Sequence, residues 1–142
     1  MHEDTLARVE LFSGLDKKEL HTLAESCQER KYKAGTHIMS QGDTGVGLYI
    51  ITGGKVRITH SSGPGQAEEN LGTAGAGDVL GEMALLDDLP RSATITAVED
   101  VTALVLPIWE FRTVLRDHPE IALKLLSVLS RRLRRAEQRP HE

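Results

Sequence analysis

The 142-residue sequence predicts a mainly β fold with flanking α-helices, and three observations carry that prediction. Hydrophobic periodicity is helical near the N-terminus, breaks into short β-branched or alternating runs between Tyr32 and Pro107, and returns to helical beyond Pro107. The middle runs are short, separated by glycine and spaced almost regularly, which is the pattern of a closed or double-sheet antiparallel roll. Length and composition suit one domain: 39% of residues are hydrophobic, 27% are charged and the formal net charge is -4.

Taken in order, residues 5–29 are expected to be helical. Within them Asp16-Lys17-Lys18-Glu19 has the form of a capping box, and Leu15, Leu20, Leu23 and Ala24 make an apolar stripe behind it. Strands are expected at 37–41, 48–52, 56–60, 69–73, 78–80, 93–97 and 102–106. Gly53-Gly54 carries the two-residue signal of a tight hairpin, residues 42–47 form a turn, and 61–66 form a longer loop. Residues 108–117 form a short helix, and Pro119, suited to a first helical position, opens a longer one running to about Gln138. In that helix Ala122, Leu126, Leu129, Leu133 and Ala136 recur at four, three, four and three residues, a coiled-coil-like seam that Leu125 and Val128 widen.

Several function classes are disfavoured by composition. An acidic balance argues against a surface that binds nucleic acid throughout, because phosphates reward an excess of Lys and Arg. The basic cluster Arg131-Arg132-Leu133-Arg134-Arg135, with Arg139 beyond it, reads first as a solvated helix face and second as a contact for an acidic partner. Cys27 is the sole cysteine, so no disulfide framework is expected, and it reads as a small buried hydrophobe. The histidines at 2, 21, 37, 60, 118 and 141 show neither HxH nor HExxH spacing, so no metal site is expected. Trp109 is assigned a core or helix-packing role. Neither a signal peptide nor a membrane-spanning run is visible, and a cytoplasmic location is expected.

The most informative stretch is GDVLGEMALLDDLPRSATITA, residues 77–97. Small residues Gly81 and Ala84 flank Glu82 and let backbone approach a ligand, and one turn of helix there aims free N–H groups outward toward an anion. Arg91, stiffened by Pro90, adds a charge-assisted bond to the same anion, and Ser92 adds a hydroxyl. A bare phosphate would be weakened by Glu82. A ribose phosphate, with hydroxyls for the carboxylate, fits both. Asp87 and Asp88 read as a solvated loop beside this site, and a plain ion pair between Glu82 and Arg91 is the bland alternative.

Gly81-Glu82-Met83-Ala84-Leu85 followed by Pro90-Arg91-Ser92-Ala93-Thr94 resembles the phosphate-binding cassette of cyclic nucleotide-binding domains, shared by bacterial catabolite activator-like proteins and the regulatory subunits of cyclic-AMP-dependent protein kinase. Gly42-Asp43, Tyr49-Ile50 and Gly54-Lys55-Val56 resemble the family's earlier strands and turns. The resemblance implies a double-stranded β-helix (jelly-roll) β-roll at 31–107 with its cassette at 81–93, an N-terminal helical segment at 1–30 and two C-terminal helices at 108–138, as one domain over 1–142. It implies that Glu82 accepts from the ribose 2′-hydroxyl and that Arg91 pairs with the cyclic phosphate, cradled with Gly81, Ser92 and the backbone N–H groups of Met83 and Ala84. By position, Val56, Ile58, Leu71 and Leu80 would line the apolar part of the pocket. The last helix would cover the purine, by stacking of Arg132 or Arg135. Ala136 stands where the catabolite activators contact adenine through a hydroxyl, which it lacks.

The functional expectation is therefore a non-enzymatic module for a 3′,5′-cyclic purine nucleotide, cAMP before cGMP, with no cofactor and with the last helix moving on binding. A homodimer through Leu126, Leu129 and Leu133 is the expected protein partner, and no DNA-reading module is expected within these residues. Two other classes stand beside it: a structural or protein-interaction domain that keeps the fold without the ligand, and a jelly-roll metalloenzyme whose His/Glu ligands this chain lacks.

Overall fold

The computed structural model describes residues 2–44, 47–63, 65–82, 84–87 and 90–138. Two units are distinguished: Cys27–Ile108, which is β, and a helical unit drawn from the segments before and after it.

Among the described residues the β unit holds eight strands: β1 (Gln28–Tyr32), β2 (His37–Met39), β3 (Gly47–Gly53), β4 (Lys55–Ser61), β5 (Glu68–Gly75), β6 (Val79–Leu80), β7 (Thr94–Ala97) and β8 (Val101–Pro107). They form two four-stranded antiparallel sheets in the orders β1-β8-β3-β6 and β2-β7-β4-β5. Register places Tyr49 opposite Val105, and Val56 opposite Ala97. The core between the sheets takes Tyr49, Ile51, Val101, Ala103 and Val105 from one and Ile38, Met39, Val56, Ile95 and Ala97 from the other. Burying each large aliphatic side chain contributes about 1.5–3 kcal/mol, so this core is the main force holding the roll closed.

Two expectations fail here. Residues 28–29 belong to a strand rather than to the end of a helix. Among the described residues strand β1 pairs with β8 alone, and its sequence Gln-Glu-Arg-Lys-Tyr is polar on both faces, so no apolar alternation announces it. Gly53-Gly54 does not close a hairpin, because β3 and β4 lie in different sheets. The chain turns a corner between sheets instead, with Gly54 at φ +88° and the space for a side chain taken by the Asp100 carbonyl and Val101.

The helical unit comprises α1 (Glu3–Leu6), a 3₁₀ turn (Glu10–Phe12), α2 (Lys17–Ala24), then α4 (Ile108–Asp117) and α5 (Pro119–Glu137), α3 (Ala84–Asp87) lying in the β unit. One continuous helix from residue 5 is ruled out by Asp16. As an N-cap it takes extended backbone (φ -84°, ψ 176°), and its carboxylate accepts from the Glu19 N–H at 2.9 Å. Glu19 returns the bond to the Asp16 N–H at 3.0 Å and also accepts from Lys124 Nζ on α5. The Phe12 and Phe111 rings pack with centroids 6.3 Å apart.

Along α5 the buried row is Ile121, Leu125 and Val128, offset from the seam read in the sequence. Leu123, Leu126 and Leu133 are 66%, 59% and 61% exposed. Trp109 is 55% exposed rather than in the core, because the buried face of α4 is Ile108, Phe111 and Val114. Among the described residues no helix is long and apolar enough to cross a membrane.

Candidate functional site

Among the described residues Arg91 is the one buried arginine, at 8% exposure, and its backbone is clasped from both sides. Its N–H donates to the Asp43 carbonyl at 2.8 Å, its carbonyl accepts from the Gly42 N–H at 2.9 Å, and Pro90 forms an isolated bridge with Thr44. The turn between β2 and β3 thus fixes the residue in place. Nη2 donates to the Gly47 carbonyl, Nη1 lies against Gly81, and Nε is buried with no hydrogen-bond partner among the described residues. Burial pulls the guanidinium below its ordinary pKa, opposed by Tyr49 and the Asp87 carboxylate.

Gly81 makes room for that head group. It stands at φ +77°, and a Cβ there would meet Arg91 Nη1 and, at 2.9 Å, the Gly47 carbonyl oxygen. Beside Arg91 is a cavity of about 120 Å³ lined by His37, Ile38, Met39, Ser40, Asp43, Thr44, Tyr49 and Arg91. Its lining combines apolar side chains and hydroxyls with the Arg91 guanidinium, the Asp43 carboxylate and the His37 ring, a mixed wall suited to a small polar ligand. Burial raises the Tyr49 phenol above its ordinary pKa, which keeps it neutral.

The other sequence-predicted residues are distributed as follows. Glu82 is half-buried directly after Gly81, and its carbonyl accepts from the Leu85 N–H at 3.3 Å; Ala84 opens α3. Ser92 is exposed beside Arg91. Val56 is wholly buried in the inter-sheet core, Ile58 and Leu80 pack half-buried at its margin, and Leu71 on the edge strand β5 is 54% exposed. Met83, Asp88 and Arg139 lie outside the described residues, while Asp87 ends α3 in an exposed position. Arg132, Arg135 and Ala136 belong to the helical unit, where Glu10 Oε1 accepts from Arg132 Nε at 2.7 Å and from Arg135 Nη2 at 2.9 Å. Sequence reading placed Asp43 and Tyr49 in the scaffold and passed over Ser40, Thr44 and Gly47; their convergence on Arg91 comes from strand register, which has no local signature.

Burial pushes the Cys27 thiol up to about 12, away from thiolate character. No group of three or more potential metal ligands occurs among the described residues.

A model of the cyclic nucleotide-binding domain matches residues 29–118, which include both sheets apart from one residue of β1 and the whole Arg91 site. The chain belongs to the cyclic nucleotide-binding domain family. It is 40% identical over 127 residues to the cyclic AMP receptor protein of Thermus thermophilus, covering 89% of this chain and 58% of that one. Among solved structures, the N-terminal domain of a transcriptional regulator from Streptomyces coelicolor is similar with a TM-score of 0.87 at 34% identity, over 98% of this chain and 99% of that one. The regulatory domain of Toxoplasma gondii PKA, solved with cAMP, is similar with a TM-score of 0.74 at 27% identity, over 95% of this chain and 49% of that one. The cyclic nucleotide-binding fold is thus shared with regulators, and the chain spans about 58% of the length of the Thermus relative.

Proposed function

We propose that the chain is a non-enzymatic regulatory module that binds a 3′,5′-cyclic purine nucleotide, cAMP in preference to cGMP, without a cofactor. The observation that carries this reading is Arg91: a buried cation with an unpartnered N–H, set in a glycine socket beside a cavity, in a cyclic nucleotide-binding domain. A buried donor without a partner is costly, and an anion that supplies the partner recovers that cost. The cAMP-named relatives support the choice of base.

In this reading Arg91 pairs with the cyclic phosphate, and Gly81, Ser92 and the backbone of Met83 and Ala84 complete its cradle. Glu82 accepts from the ribose 2′-hydroxyl, and Ile58, Leu71 and Leu80, backed by Val56, form the apolar wall. Arg132 or Arg135 covers the purine, near Ala136, when α5 responds to ligand. The flanking helices then act with the β-roll as one cytoplasmic module, and a coupling of about 1–3 kcal/mol between ligand and helix suffices for a five-fold or larger response. The exposed Leu126 and Leu133, with Leu129, form the seam of a homodimer.

Calorimetric titration with cAMP, cGMP and 5′-AMP tests the proposal. Saturable heat with a cyclic form and none with 5′-AMP is expected, with cAMP the tighter. Absence of binding by all three, with a dimer retained in light scattering, favours instead a ligand-free interaction domain, the reading to which the exposed α5 leucines also lend support.

A further inference from the structure

Gly47 lies outside the cassette, yet its carbonyl is the acceptor that holds the Arg91 head group. The ladder fixes that carbonyl, since Gly47 is the first residue of β3 and pairs with Pro107 of β8. A side chain at position 47 would run into the Leu106 carbonyl, and the backbone there has φ +152°, so only glycine lets the strand begin this close to β8. Gly81 packs against Nη1 and the same Gly47 carbonyl, so no side chain at position 81 can come between them. Both ends of Arg91 are therefore tied, the backbone by Gly42 and Asp43 and the fork by Gly47, while Nε between them has no partner among the described residues.

We propose that the Gly47 carbonyl is a positioning group that pins the Arg91 fork through Nη2 and reserves Nε as the donor for the ligand's anion. This rests on the reading of Arg91 as the phosphate partner. A guanidinium has five N–H donors in a rigid plane, so fixing one arm fixes the direction of the rest. Pinning before the ligand arrives removes the ordering cost that a free arginine would incur on binding. The Gly47 hydrogen bond persists in the complex, and the change on binding is confined to the Nε side.

NMR of labelled protein tests this with two readouts, the Gly47 carbonyl carbon and the Arg91 Nε–H pair. In the free protein, Arg91→Lys should move the Gly47 carbonyl resonance, because an ammonium cannot reproduce the fork, while carbonyls of α2 stay in place. On saturation of the wild type with cAMP, the Nε–H resonance should shift downfield and the Gly47 carbonyl should keep its free-protein position. Arg91→Lys should also weaken cAMP by about ten-fold or more despite its retained charge. A Gly47 carbonyl indifferent to Arg91→Lys overturns the pin. A Gly47 carbonyl that moves with saturating cAMP to its Arg91→Lys position overturns the reserved role of Nε, since the ligand has then taken the pinned arm. If no resonance responds to cAMP, the ligand reading fails together with the Nε assignment, and the free-protein comparison still decides the pin.

Discussion

Arg91 and Arg132 are both arginines that sequence reading directs at a nucleotide, and the structure treats them in opposite ways. Arg91 is buried, tied to backbone carbonyls, and left with an N–H unmatched. Arg132 is partly exposed on α5 and, with Arg135, is bonded to the Glu10 carboxylate. An exposed ion pair of that kind contributes little and is screened by salt. A buried guanidinium whose Nε has no hydrogen-bond partner among the described residues is instead an unfavourable arrangement that a bound anion relieves. Burial with an unmatched donor is therefore the better marker of a ligand contact than the presence of basic residues.

The largest effect that sharpens this contrast is expected from Arg91→Ala, which should weaken cyclic nucleotide binding by about 2–5 kcal/mol in calorimetry. Unchanged affinity would remove Arg91 from the site. Next, Gly81→Ala should weaken binding by about ten-fold or more and lower stability by roughly 1–2 kcal/mol, because it forces a side chain into the guanidinium and into positive φ. Binding at wild-type strength in that variant would show that the socket is not needed.

The helical unit supplies the smaller effects. Asp16→Ala removes the capping box under Lys124 and should cost about 1 kcal/mol in chemical denaturation with the cyclic nucleotide affinity of the β-roll unchanged. Glu10→Gln should produce a slight fall in Tm that disappears in high salt. The Arg132 and Arg135 hydrogen bonds hold the Glu10 pKa below its ordinary value of 4.5. A lowered folded-state pKa gives stability that is present above 4.5 and is lost as pH falls through the folded value, so the Glu10→Gln difference should vanish in acid. A large fall in Tm at every salt concentration would contradict the weak-pair account.

These contrasts also explain what was legible in the residues. Strands β3 and β8 are apolar runs bounded by turn residues, and they appear within one residue of the expected limits. Strand β1 was missed because an edge strand of charged residues has no apolar face to read. The capping box at Asp16 is visible in the sequence, and its extended N-cap backbone breaks the helix that the apolar stripe around it suggests. Gly53-Gly54 looked like a hairpin because two glycines signal a turn without saying whether the flanking strands share a sheet. At the site, Gly81, Glu82 and Arg91 stand close in sequence and form a recognisable motif. Gly47 sits 44 residues from Arg91, and only register brings its carbonyl there. Leu126 and Leu133 recur with helical period in the sequence, yet periodicity alone does not separate the row buried within the unit from the row left exposed.

Phosphorus NMR of cAMP tests the central claim most directly, because it reads the atom that Arg91 is proposed to hold. The phosphate resonance should shift on addition of wild-type protein and stay at its free position with equimolar Arg91→Ala. The same shift with both proteins, or none with either, would contradict the account.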